Sequence, residues 1–199
     1  LMPVFALFFP VPLAIAATAV VHFANNIFKF ALMAKQADWR VVARFSVPAA
    51  AAAVVGATAL NLFDSMPVIG RFSIGESTFE IIAVKSVIGS LIVFFALLEL
   101  WPRFQSIAFS PSWLPVGGAL SGFFGGLSGN QGALRSAFLL KTGLTKEAFV
   151  ATGVVSAVIV DAVRLTVYGT AVLAGYFQQS KDLVAPIVVA TICAFVPSA

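Results

Sequence analysis

Glycine recurs at Gly117, Gly118, Gly122, Gly125, Gly126, Gly129 and Gly132, and the last of these surround a polar pair, Asn130-Gln131, with Arg135 just beyond. Each glycine costs a helix interior about 1 kcal/mol relative to alanine. The run Ser128 to Gly132 is therefore expected to interrupt a helix. An interruption frees backbone N–H and C=O groups, which within a membrane are tolerated only where the chain is buried in protein or lines a cavity. A helix restarting near Ala133 would aim its first amides at that cavity, an arrangement that suits an anion, and Arg135 one turn in would add a fixed positive charge. Ser128, Gly129, Asn130, Gln131, Gly132 and Arg135 are the candidate anion-binding residues. The competing reading is that the glycines only let helices pack closely. That leaves Asn130, Gln131 and Arg135 without a role.

Two further stretches carry polar residues at helical spacing. Thr18, His22, Asn25 and Lys29 recur every three or four residues, with Asn26 alongside, so one face of that helix is polar. Later, Thr152 and Ser156 precede Asp161, Arg164 and Tyr168, and Asp161 with Arg164 can pair at i, i+3. Lipid solvates neither face, and polar groups at such depth turn inward and mark pathways, although Lys29 is near enough to a helix end to snorkel. Asn25 and Asn26 join the candidate binding residues. His22, Lys29, Asp161 and Arg164 are candidates for a proton relay or an ion pair, with a structural role equally open. Glu80, Lys85 and Glu99 lie near expected span ends and read as interfacial. The single His22 stands apart from any carboxylate pair or HExxH pattern, so no catalytic residue, metal site or cofactor is expected.

The elements that must position these residues are membrane helices. Hydrophobic residues make up 60% of the 199-residue chain and charged ones only 10%, where a soluble domain carries about 25% charged side chains. The apolar residues form long runs: Pro12 to Ala34, Val41 to Phe63, Thr78 to Leu100, Trp113 to Leu140, Ala148 to Tyr176 and Leu183 onward. A crossing helix needs roughly 20 such residues. A strand barrel would show short alternating segments instead. Connections such as Lys35 to Arg40, Asp64 to Ser77 and Trp101 to Ser112 are too short to hold a soluble domain, and Trp39, Trp101 and Trp113 fall where amphipathic rings favour the headgroup layer. A net charge of +4 without a basic cluster argues against nucleic acid. Cys193 stands alone, which excludes an intrachain disulfide. Leu1 to Phe9 already lie in an apolar run without a basic leader, so the chain is expected to be a fragment at both ends.

Displacing the sequence by 134 positions aligns Ala14–Val21 with Ala148–Val155, with Ala14, Ala17, Thr18, Val20 and Val21 each meeting an identical residue. This points to two repeats, residues 1–107 and 108–199, a common plan for transporters. If every apolar run crosses, Lys35, Arg40, Arg44, Arg103 and Lys181 face Arg71, Lys141 and Lys146 across the bilayer. If the Trp113 to Leu140 segment dips in and returns, Lys141 and Lys146 join the first group and Lys181 leaves it. The positive-inside rule prefers the second arrangement, which also makes the two aligned helices antiparallel, as an inverted repeat requires.

The run Gly126-Leu127-Ser128-Gly129-Asn130-Gln131-Gly132-Ala133-Leu134-Arg135, followed by an apolar stretch, a short basic turn and Ala151-Thr152, resembles the TauE/SafE sulfite-exporter family. Leu1-Met2-Pro3, Ala17-Thr18, Asn25-Asn26 and Asp38-Trp39-Arg40 look like the rest of the first repeat, whose Gly-rich element would precede the chain. The resemblance implies a bacterial-type inner-membrane permease for sulfite, sulfonates or related anions. Asn130-Gln131 and Arg135 replace the glycine and apolar residue common in the family, and Ala137 stands where the first half has Pro3, which leaves the substrate open. The expectation is an all-α polytopic transmembrane bundle of two inverted repeats with broken or re-entrant Gly-rich helices. It would move a small anion by alternating access, with the lipid bilayer as its setting, H⁺ as a candidate coupling ion and a homo-oligomer allowed. The rivals are a membrane-embedded enzyme acting on a lipid-linked substrate and a non-transporting membrane subunit.

Overall fold

The structure is a computed structural model and describes residues 4–5, 9, 11–64, 68–75, 77–105, 107–129, 131–168 and 187–190. Helix α1 (Val11–Met33) is followed by a 3-10 turn at Ala34–Gln36 and by α2 (Trp39–Asp64). An antiparallel hairpin, β1 (Val68–Ile74) and β2 (Ser77–Ile82), leads into α3 (Ala83–Leu100) and the single turn α4 (Pro102–Gln105). A 3-10 turn at Pro111–Trp113 opens α5 (Leu114–Ser128), and α6 (Gly132–Leu139) and α7 (Lys146–Tyr168) complete the described elements.

Three of these stretches, Leu13–Gln36, Trp39–Leu60 and Lys146–Tyr168, are long and apolar enough to cross a membrane. They match three expected spans, the last as far as Tyr168, since residues 169–176 lie outside the described set. The span expected from Leu183 onward also lies outside it, apart from 187–190. The expected span Thr78 to Leu100 is corrected. Its first residues belong to β2, and the helix begins only at Ala83. The described fold is otherwise mostly helical, as expected, with this hairpin as the departure among the described elements, and the Asp64 to Ser77 connection is corrected to contain β1. Alternation explains the strands: Arg71-Phe72-Ser73-Ile74 and Thr78-Phe79-Glu80-Ile81 repeat with period two, and Gly75, with φ of +61°, takes the left-handed conformation the turn needs.

Close helix contact organises the core. Gly118, Gly122 and Gly126 of α5 lie against the backbone of Phe45, Ala49 and Ala53 of α2, where a Cβ would collide with those residues' carbonyl oxygens. Gly56 of α2 meets the Phe123 carbonyl in the same way. Both sets rise together along the chain, so α2 and α5 run parallel. Small residues that let backbones approach are what holds helices together where lipid removes the hydrophobic drive.

After Ser128 the chain doubles back. Gly129, with φ of +81°, ends α5, and α6 then runs alongside it in the opposite direction. Gln131 packs on Gly125 and the Phe138 ring covers Gly117. Phe138 also stacks on Phe109 at 4.2 Å between centroids, and the Phe109 N–H donates to the Ala137 carbonyl at 3.2 Å. Helix α7 packs on α1 and α2 together. The Asn26 side chain meets Asp161, and the Asp38 N–H donates to the Thr152 hydroxyl at 3.0 Å, so α1 and α7 run antiparallel. Ile15 and Ala19 sit near Tyr168 in a shared apolar cluster with Ala57, Leu60, Ile88 and Leu127.

Candidate functional site

The interruption between α5 and α6 leaves the last carbonyls of α5 without intrahelical donors, the ordinary debt of a helix C-terminus. Side chains of α7 reach this end. Arg164 Nη1 donates at 3.3 Å to the Gly125 carbonyl, which also accepts from the Gly129 N–H at 2.9 Å, and the Tyr168 hydroxyl donates to the Gly126 carbonyl. A guanidinium at this end also meets the negative pole of the helix dipole. Gly129 is required here twice, for its positive φ and because a Cβ would stand 2.7 Å from Arg164 Nη1.

Asp161 balances the charge. Its Oδ1 lies 3.0 Å from Arg164 Nη2, and both residues are 1% exposed. Asp161 Oδ2 accepts from Asn26 Nδ2 at 2.8 Å, and Oδ1 accepts from Gln131 Nε2 at 3.4 Å. The Gln131 carbonyl accepts from the Ser121 hydroxyl at 3.2 Å and starts α6 by accepting from the Arg135 N–H at 3.0 Å. One carboxylate thus ties α1, α7 and the break together. Buried charges demand such pairing, because removing an ion from water costs several kcal/mol that only good geometry offsets.

Arg135 stands apart from this set. It belongs to α6, and its guanidinium leans on Gly153, where a Cβ would be 3.6 Å from Nε. With Ser136, Leu139, Phe149, Val150, Gly153 and Val154 it lines a cleft of about 190 Å³. Arg135 Nη1 is buried and has no hydrogen-bond partner among the described residues, a state it shares with Arg164 Nε. The two differ in charge balance: Arg164 is compensated by Asp161, whereas no ion pair to Arg135 occurs among the described residues.

Of the candidate residues, the structure brings Asn26, Gln131, Gly129, Asp161 and Arg164 into one buried network. Ser128 ends α5 with its hydroxyl bonded back to the Phe124 carbonyl at 3.0 Å. Gly132 opens α6 beside open space. Asn25 is half-buried on α1 with an interaction of its own. His22 is exposed and Lys29 half-buried, and neither is in the network's hydrogen-bonded set. Asn130 lies outside the described residues. Arg135 lies in the first turn of α6, as expected, but its side chain lines a cleft in which none of the described residues among 128–132 takes part. Sequence reasoning missed Ser121, whose spacing of four from Gly125 puts it on the face toward the break. It also missed Ser46, whose hydroxyl donates to that of Ser156 at 2.9 Å and links α2 to α7.

A family model, that of the sulfite exporter TauE/SafE, matches residues 1–197. The chain belongs to the TauE/SafE family. No curated protein and no solved structure matches it. Membership of TauE/SafE and the apolar helices together place the chain in a membrane and in a family of transporters rather than enzymes. Among the described residues no group of His, Cys, Asp and Glu is arranged to hold a metal ion.

Proposed function

We propose that this TauE/SafE chain is a bacterial inner-membrane permease that moves a small anion, sulfite, an organosulfonate or a related sulfur oxyanion, by alternating access. The observation that carries the reading is Arg135 Nη1, which lacks a hydrogen-bond partner among the described residues, on a side chain that lines a cleft. A half-buried cation with no direct ion pair among the described residues leaves a donor unused, and an oxyanion entering the cleft takes it up while its oxygens match the guanidinium fork. Beyond the cleft, Ser128, Gly129, Asn130, Gln131, Gly132, Asn25 and Asn26 are the wall that the proposed path follows. The Asp161–Arg164 pair holds that wall in shape.

The two halves, 1–107 and 108–199, act as an inverted repeat, with α5 and α6 as a re-entrant helical hairpin. The antiparallel packing of α1 against α7 and the return of α6 along α5 support this. Proton coupling through His22 or Asp161 is the corresponding source of drive. The test is a flux screen in liposomes with sulfite, sulfate, thiosulfate, sulfoacetate and small carboxylates. Saturable movement of a sulfur oxyanion, competed by other members of that class, supports the reading. Movement of carboxylates alone overturns the substrate class, and no saturable flux of any anion overturns the function.

A further inference from the structure

We infer that the β1–β2 hairpin is a membrane-surface anchor that lays one face on the lipid headgroup and upper acyl layer. Cross-strand partners share a face, and the register pairs Gly70 with Ile81, Arg71 with Glu80 and Phe72 with Phe79. The two faces therefore differ in chemistry. One carries the ion pair Arg71–Glu80, at 2.9 Å. The other carries Phe72 and Ile81, which are 47% and 40% exposed, and Ile69 in the bulge beside them is 68% exposed.

A two-stranded hairpin is marginal in water without an apolar face to bury. Lipid is the occupant because the hairpin leaves a helix long and apolar enough to cross the bilayer and feeds directly into one that exposes apolar side chains. The span in α2 ends at Leu60 shortly before β1, and β2 runs into α3 without an intervening residue. Helix α3 then exposes Val93, Phe94 and Leu97. A protein partner is disfavoured by size. Side chains this few offer on the order of 300 Å², against about 800 Å² per partner in a stable complex. An aromatic ring beside an exposed ion pair is the composition that settles at a membrane–water boundary.

The inference stands on membrane placement and is independent of which solute moves. Full-length chains with Cys193→Ala and one of Phe72→Cys, Ile81→Cys or Arg71→Cys are nitroxide-labelled in liposomes. Collisions with oxygen, which concentrates in lipid, are compared with collisions with a water-soluble nickel chelate. Labels at 72 and 81 are expected to meet oxygen preferentially, and the label at 71 the chelate. Preference for the chelate at all three positions, or shielding of 72 and 81 from both reagents, overturns the anchor. Where a cysteine variant fails to fold, Phe72→Trp with brominated lipids gives the same decision: quenching supports the anchor and its absence overturns it.

Discussion

Asp161 accepts from Asn26, Gln131 and Arg164 at once, so its loss and the loss of its partner should not be equivalent. Asp161→Asn keeps the shape but leaves Arg164 charged and buried, which is expected to cost about 3–5 kcal/mol. Asp161→Asn with Arg164→Met removes both charges and should recover much of that stability, although the Gly125 carbonyl then loses one of its two donors. Thermal unfolding in detergent measures both. A double variant less stable than Asp161→Asn would mean that capping of α5, not charge balance, is the dominant duty of Arg164. Asn26→Ala removes one hydrogen bond to a charged group and is expected to cost about 1.5–3 kcal/mol on the same assay. The i, i+3 spacing of Asp161 and Arg164 made their pairing legible in the sequence. Their partners were not, because Asn26 and Gln131 come from elements more than a hundred and about thirty residues away, brought near only by packing.

Among the elements, α5 shows that glycine has two uses in one helix. The break at Ser128–Gly132 was legible from glycine density beside polar residues. The stripe Gly118, Gly122, Gly126, with its spacing of four, serves the close packing that had seemed the rival explanation. Gly122→Ala forces a Cβ into the backbone of Ala49 and is expected to destabilise by about 1–3 kcal/mol. Gly89→Ala meets nothing within 4 Å in the middle of α3 and should stabilise by about 0.5–1 kcal/mol. Similar unfolding midpoints for the two variants would contradict this account of the α2–α5 contact. The hairpin was hidden because Val68, Ile69, Phe72, Ile81 and Ile82 count as apolar in a span search, and only their alternation with Arg71, Ser73, Thr78 and Glu80 betrays strands.

For the molecule as a whole, the direct contact between Asp38 and Thr152 puts the end of α1 and the start of α7 at one end of the bundle. Lys35 and Lys146 should then face the same side of the membrane and Arg71 the other. In a Cys193→Ala chain, Lys35→Cys and Lys146→Cys are expected to react with an impermeant maleimide from one side and Arg71→Cys from the opposite side. Labelling of 35 and 146 from opposite sides would reject the re-entrant arrangement. Composition and run length made the membrane location legible, but they carry no information on which buried cation is already paired; that emerged only from the geometry around Arg164 and Arg135. The claim that Arg135 receives the anion is tested most directly by sulfite flux through proteoliposomes containing Arg135→Gln, Arg135→Lys or Lys85→Gln. Arg135→Gln is expected to abolish saturable flux with little loss of thermal stability, since it removes a charge with no direct ion pair among the described residues, and Arg135→Lys to fall between, keeping the charge without the planar fork. Lys85→Gln, at an exposed site on α3, should transport as the unaltered chain does. Undiminished flux through Arg135→Gln, or an equal loss from Lys85→Gln, would contradict the assignment.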